Sequence, residues 1–343
     1  MSEPPLPSKS RGRLLRFGAG SLVLLGVAGY LVVQYDTGGT GGPGCRVVSA
    51  KDDGATYEFT PEQAVNAATI TAAGTAREMP ERAVAIALAT ALQESALRNI
   101  DYGDRDSLGL FQQRPSQGWG TPEEIMDPAY SAGKFYEGLA EVPGYTRLPL
   151  TVAAQRVQLS GFPQAYAKHE PDATLLAAAL TGAAEATLTC DGRPATTRAA
   201  GTDAVRDALA RDFGRDVLEP AGAEIGDAAS PAPSAPGSGN SGSGSGSDAV
   251  PAPHSDGRTV TLPVSTEADP GRKARAQGWQ LAHWAVANAS ELHIERVVYA
   301  GREWTAGDGS GRWAPIGGGD DEDGKNSAGA DGGADAVRIT TAQ

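Results

Sequence analysis

The chain has 343 residues, 45 of them glycine and 23 proline, and a formal net charge of −13. That length allows two modest domains plus linkers. No basic stripe exists to neutralise phosphates, so the composition excludes nucleic acid as a partner.

Lys9, Arg11, Arg13 and Arg16 precede an uncharged run from Phe17 to Val33. Its length is at the short end of what spans a bilayer. A basic flank stays cytoplasmic, so residues 1–16 read as a cytoplasmic tail and 17–35 as a transmembrane anchor. The rest of the chain is then expected outside the cell membrane, in a single-pass arrangement with the membrane as a partner. A cleaved signal peptide is the rival reading, but no Ala-x-Ala site closes the run. Cys45 follows Gly-Gly-Pro-Gly, which lacks the aliphatic residue of a lipoprotein box.

Cys45 and Cys190 are the two cysteines of the chain. An oxidising exterior favours their pairing, and two free thiols are the alternative. They bracket residues 45–190, the first expected folded unit. In it Thr60-Pro61-Glu62-Gln63 forms a capping box with proline at the first helical position. Pro80-Glu81 opens a second helix towards Arg98, with Val84, Leu88 and Leu92 as its core stripe. Asp127-Pro128 starts a third, Thr151 is placed to cap a fourth, and a fifth over 172–182 ends at Gly182. No alternating strand pattern precedes Cys190, so this unit is expected to be mostly α-helical.

A helix over 202–214 and a connector complete 191–225. Residues 226–253, with GSGNSGSGSGS, read as a flexible linker. Residues 254–315 read as a small α/β accessory module, with a helix over Arg275–Glu291 and a hairpin from Ile294. The acidic, Gly-rich stretch from 316 to 343 is expected to be disordered.

Glu94 ends the second helix in Ala91-Leu92-Gln93-Glu94-Ser95. Its helical neighbours Ala91, Thr90 and Ala87 are small and leave a shallow floor before the carboxyl. A carboxyl against apolar surface is disfavoured as an anion, the property a general acid requires. Taken alone, a glutamate near a helix end is more often a solvated surface charge. Its context adds Ser107-Leu108-Gly109-Leu110-Phe111-Gln112-Gln113 and then Asp127-Pro128-Ala129-Tyr130, with Phe135-Tyr136.

This order resembles the lytic transglycosylases of the lysozyme-like superfamily over roughly residues 60–185. The family's Tyr-Asn-Ala-Gly motif is missing, and QRVQLSGFPQAY from Gln155 to Tyr166 stands in its place. The resemblance implies a mostly α lysozyme-like domain that cleaves peptidoglycan glycan strands. Glu94 would protonate the glycosidic oxygen after a muramic acid unit and then act as base. Activation of the sugar's own C6 hydroxyl gives an anhydro product, and activation of water gives a reducing end. Ser95, Gln112, Gln113 and Tyr166 are the candidate substrate-binding residues, since amides and phenols suit sugar hydroxyls. Tyr166 is as readily a packed core aromatic. Asp104 and Asp106 are candidates for the second carboxylate that a hydrolase recruits. Their alternative is a solvated loop with Asx turns and Asp–Arg pairs.

His254-Ser255-Asp256-Gly257-Arg258-Thr259-Val260-Thr261 resembles the His-x-x-Gly-x-x-x-Asp zinc signature of D-Ala-D-Ala carboxypeptidase-like metalloproteins. Thr261 occupies the aspartate position and is a poor zinc ligand. His283 and His293 suit packing or surface roles. The module is therefore expected to be metal-less, and no cofactor is expected in the chain. The second function considered is a non-cleaving, glycan-binding protein with a degenerate cleft. One apolar span cannot form a transport pathway.

Overall fold

The computed structural model describes residues 44–51, 53–160, 164–192, 201–218, 254–264, 272–308, 312–316 and 336–342. They belong to one compact unit, Pro43–Gln343. Two short strands, β1 (Cys45–Val48) and β2 (Thr56–Phe59), lead into α1 (Pro61–Thr75). Both bonds of the capping box form at the start of α1: Gln63 N donates to Thr60 Oγ1, and Thr60 N donates to Gln63 Oε1. Next comes α2 (Glu81–Ser95), ended by Ala96 in the left-handed conformation. Every residue of α2 from Ala83 to Leu92 is buried. A helix apolar on all sides belongs at the centre of a core, and α1, α4 (Pro128–Ala140), α5 (Leu150–Gln158) and α6 (Glu170–Leu180) pack around it. Between α2 and α4 lies the single turn α3 (Pro122–Ile125). Asp127 caps α4 by accepting from the backbone of Ala129 and Tyr130. The cap of α5 is Pro149, with Thr151 inside the helix.

β3 (Leu188–Cys190) returns beside β1 in a three-stranded antiparallel sheet of order β2-β1-β3. Cys45 and Cys190 face each other across it and form a disulfide. The helix expected over 202–214 is α7 (Gly201–Phe213). β4 (His254–Asp256), β5 (Thr259–Pro263), α8 (Arg272–Ala287), α9 (Ala289–Leu292), β6 (Ile294–Tyr299), β7 (Arg302–Thr305), β8 (Ala314–Pro315) and β9 (Ala336–Thr341) complete the chain order. Their strands make a six-stranded antiparallel sheet of order β4-β5-β9-β6-β7-β8. Ala300 and Gly301, both at positive φ, form the turn between β6 and β7, the geometry that matches strand twist in two-residue hairpins.

α8 joins the two halves. It packs on α1, α6 and β3 from one side and on β6 and β9 from the other. A Cβ at Gly182, where φ is +74°, would collide with the Ala276 backbone of α8. Trp304 Nε1 donates to the Cys190 carbonyl at 3.1 Å, and Trp313 Nε1 to the Leu188 carbonyl at 2.9 Å. Two indoles, one on β7 and one just before β8, thus hold the strand that carries the disulfide.

Several expectations change. The fold is mixed α/β with two sheets rather than a mostly α lysozyme-like domain, because strands of three or four residues show no alternation in sequence. Within the stretch where composition argued against fixed structure, β9 alternates buried and half-buried side chains and sits between β5 and β6. No described helix is long and apolar enough to cross a membrane. The longest, α8, has 16 residues and carries Lys273 and Arg275. At 1.5 Å per residue it spans roughly 24 Å, short of the ~30 Å hydrocarbon core. The run from Phe17 to Val33 lies outside the described residues, as does the linker at 226–253. Membrane attachment, the membrane as a partner and a single-pass location therefore find no support and are set aside.

Candidate functional site

Glu94 stands at the C-terminal end of α2, half-buried. Tyr166, fully buried on the 3-10 helix Ala165–His169, donates its hydroxyl to Glu94 Oε1 at 2.6 Å. Burial and then the adjacent carboxylate raise the Tyr166 phenol well above its ordinary range, so it remains a protonated donor at any working pH. None of the ion pairs among the described residues includes Glu94.

The 3-10 helix makes a second contact one residue earlier on α2: His169 Nε2 lies 3.2 Å from Gln93 Oε1. Burial lowers the His169 pKa, with Lys168 adding to the effect and Asp172 opposing it. Tyr166 and His169, three apart, thus face two consecutive residues at the end of α2.

The sequence candidates separate in space. Ser95 is buried, and its hydroxyl donates to the carbonyls of Ala91 at 3.1 Å and Leu110 at 2.8 Å. It fastens the 107–113 loop to the end of α2 rather than facing solvent. Gln112 is partly exposed at φ +49°, and its amide donates to the Gly109 carbonyl at 3.2 Å. Gln113 points the other way: it is buried and donates to the Ser131 carbonyl at 3.0 Å. Asp104 is exposed. Asp106 accepts from Arg114 Nε at 2.8 Å and from the Ser116 backbone at 2.9 Å. The Arg114 contact, then the Ser116 contact, hold its carboxyl well below the usual range. It braces the loop.

Two further residues complete the surroundings. Gln158 Nε2 donates to the Phe111 carbonyl at 2.8 Å. Ser160, whose carbonyl accepts from Gln155 Nε2 at 2.7 Å, also hydrogen-bonds Tyr166 through its side chain. Nothing in the sequence marks either, because both depend on where α5 ends. A separate cavity of about 540 Å³ is lined by Asp207, Ala210, Arg211, Arg215 and Leu218, none of them near Glu94 in the chain.

The histidines of the C-terminal stretch do not gather. His254 is exposed on β4, opposite Thr261, whereas His283 and His293 are buried. Among the described residues no three His, Cys, Asp or Glu side chains form a group that could hold a metal ion.

A family model described as VldE, C-terminal domain, matches residues 228–326. The match covers less than a third of the chain and does not reach Glu94 or Tyr166. No curated protein matches this chain. The resemblance of the first half to lytic transglycosylases of the lysozyme-like superfamily is therefore withdrawn, as is that of the C-terminal stretch to carboxypeptidase-like metalloproteins. Three short motifs in order, and one eight-position signature with its aspartate replaced, suggested families that neither comparison returns.

Proposed function

We propose that this protein cleaves peptidoglycan glycan strands, with Glu94 as general acid and then base. The observation that supports this best is the 2.6 Å bond from Tyr166 to Glu94 Oε1, which fixes a half-exposed carboxylate with no cationic partner among the described residues. A surface carboxylate kept only for stability would gain from a nearby Arg or Lys. A carboxylate that must give and take a proton is better oriented by a neutral donor. Ser160, which hydrogen-bonds Tyr166, and the amides of Gln112 and Gln158 on the adjoining segments are groups that suit sugar hydroxyls.

Glu94 would protonate the glycosidic oxygen as the bond breaks. It would then remove a proton from the C6 hydroxyl of the same sugar or from water. Asp106 is committed to Arg114 and the Ser116 backbone, which leaves the exposed Asp104 as the candidate for the second carboxylate that a water-activating route recruits. The intramolecular route to an anhydro product needs neither. The alternative is a protein that holds glycan without cutting it.

The test is mass spectrometry of muropeptides released from purified sacculi by wild type and by Glu94→Gln, at equal folded protein. Release by wild type with loss of on the order of 10²–10⁴ in rate for Glu94→Gln supports the reading. Equal release from both overturns Glu94 as the acid/base. Binding without release from either establishes the non-cleaving alternative.

A further inference from the structure

Two large apolar side chains are exposed among the described residues: Tyr102, at 65%, and Leu159, at 81%. Both belong to segments hydrogen-bonded to the 107–113 loop, which Ser95 joins to the end of α2. Gln158 ties the end of α5 to the Phe111 carbonyl, and Leu159 is the next residue. Tyr102 is tied to the same loop from another side. Its carbonyl accepts from Gln112 Nε2 at 3.4 Å, and a Cβ at Gly103 would fall on Gln112 Oε1. Ser95 fastens that loop to the helix end beside Glu94, while Ser160, following Leu159, contacts Tyr166.

Gln112 and Leu159 both adopt left-handed conformations, at φ +49° and +50°, which non-glycine residues adopt at a steric cost; Leu159 does so as the C-cap of α5. Neither exposed side chain is buried in the core, so the fold gives no account of why a leucine and a tyrosine stand there.

We propose that Tyr102 and Leu159 are the apolar walls of sugar-binding subsites beside Glu94, with the Tyr102 ring stacking on the C–H face of an N-acetylhexosamine. This rests on the glycan-cleavage reading and names how that site grips its substrate. A pyranose presents partly positive C–H bonds on its faces and hydroxyls around its rim. The face meets the negative face of an aromatic ring. The rim meets amides and hydroxyls, which Gln112, Gln158 and Ser160 supply.

The probe is the β-1,4-linked hexamer of N-acetylglucosamine, titrated calorimetrically into the full chain carrying Glu94→Gln so that nothing is cut. Adding Tyr102→Ala should weaken binding by about tenfold, the scale of one aromatic contact. Tyr102→Phe should retain affinity within about twofold, since the ring face persists. Leu159→Asn, which suits the left-handed backbone, should weaken binding without lowering the melting temperature. Unchanged affinity in Tyr102→Ala overturns the proposal. So does equal loss in Tyr102→Phe, or no binding of the hexamer by the Glu94→Gln chain. The cleavage reading fails on a different measurement, the absence of muropeptide release by wild type, while equal release by wild type and Glu94→Gln removes Glu94 as the acid/base.

Discussion

Trp284 Nε1 donates to Asp212 Oδ2 at 2.8 Å and so joins α8 to α7 through a fully buried carboxylate. Thr69 on α1 donates to the same oxygen at 3.2 Å, and Arg211 Nε to the other at 2.9 Å. Three helices meet on one side chain. Asp212→Ala leaves the indole N–H and the threonine hydroxyl buried without an acceptor. The expected loss is about 2–4 kcal/mol, with Asp212→Asn losing less because one amide oxygen remains. Urea unfolding measures it, and a loss under about 1 kcal/mol for the alanine variant would contradict the accounting.

His283 makes stability depend on acid. It is fully buried, edge-on to Trp313 and tilted against Trp279, with Nδ1 2.7 Å from the Ala179 carbonyl. Nε2 is buried without a hydrogen-bond partner among the described residues. Burial pushes its pKa down to about 4, only partly opposed by the Ala179 contact. The unfolded chain, near 6.5, binds the proton first, so folding stability falls as pH drops from about 6.5 towards 4. The full effect is up to about 3 kcal/mol. The half-exposed His169 shifts in the same direction. Melting temperatures between pH 7 and 4.5 should decline in wild type and flatten in His283→Gln. Parallel curves would remove His283 as the cause.

The disulfide closes a loop of 145 residues between adjacent strands. In the chain-entropy model such a link stabilises by about 5 kcal/mol. Reduction, or Cys45→Ser with Cys190→Ser, should lower the denaturation midpoint while leaving the helical circular dichroism intact. A midpoint insensitive to reductant would show that the pairing of β1 with β3 and the Trp304 and Trp313 clamps suffice alone.

What the sequence revealed, and what it hid, follows from range. Thr60 and Asp127 act on residues two or three positions away, so the starts of α1 and α4 were legible. The pairing of β1 with β3 depends on a partner 145 residues distant and leaves no local period. Glu94 and Tyr166 could each be proposed as site residues, but their contact could not, because it rests on how α5 ends and the 3-10 helix begins. Gln112 and Gln113 are adjacent and chemically identical. Only the left-handed turn at Gln112 decides which amide enters the core. Asp212 did leave a signal: with Val205, Ala208 and Leu209 it lies on the buried stripe of α7. An acid on an apolar stripe requires buried partners.

Tyr166→Phe isolates what the hydroxyl contributes to Glu94. The ring is fully buried, and phenylalanine keeps its shape, so the packing of the 3-10 helix on α2 should persist. Loss of one buried hydrogen bond lowers stability by about 1 kcal/mol. The catalytic consequence is expected to be larger. Without the 2.6 Å bond, the carboxylate can rotate about its terminal torsions, and a displacement of about 1 Å can reduce rate by roughly 10²-fold. Substrate affinity should change little, because the hydroxyl faces Glu94 and Ser160 rather than the sugar. The expected pattern in muropeptide release is therefore a fall in kcat of about ten- to a hundredfold, with KM near wild type. A rise in KM at constant kcat would instead place the Tyr166 hydroxyl on the substrate, and unchanged kinetics would separate it from the reaction.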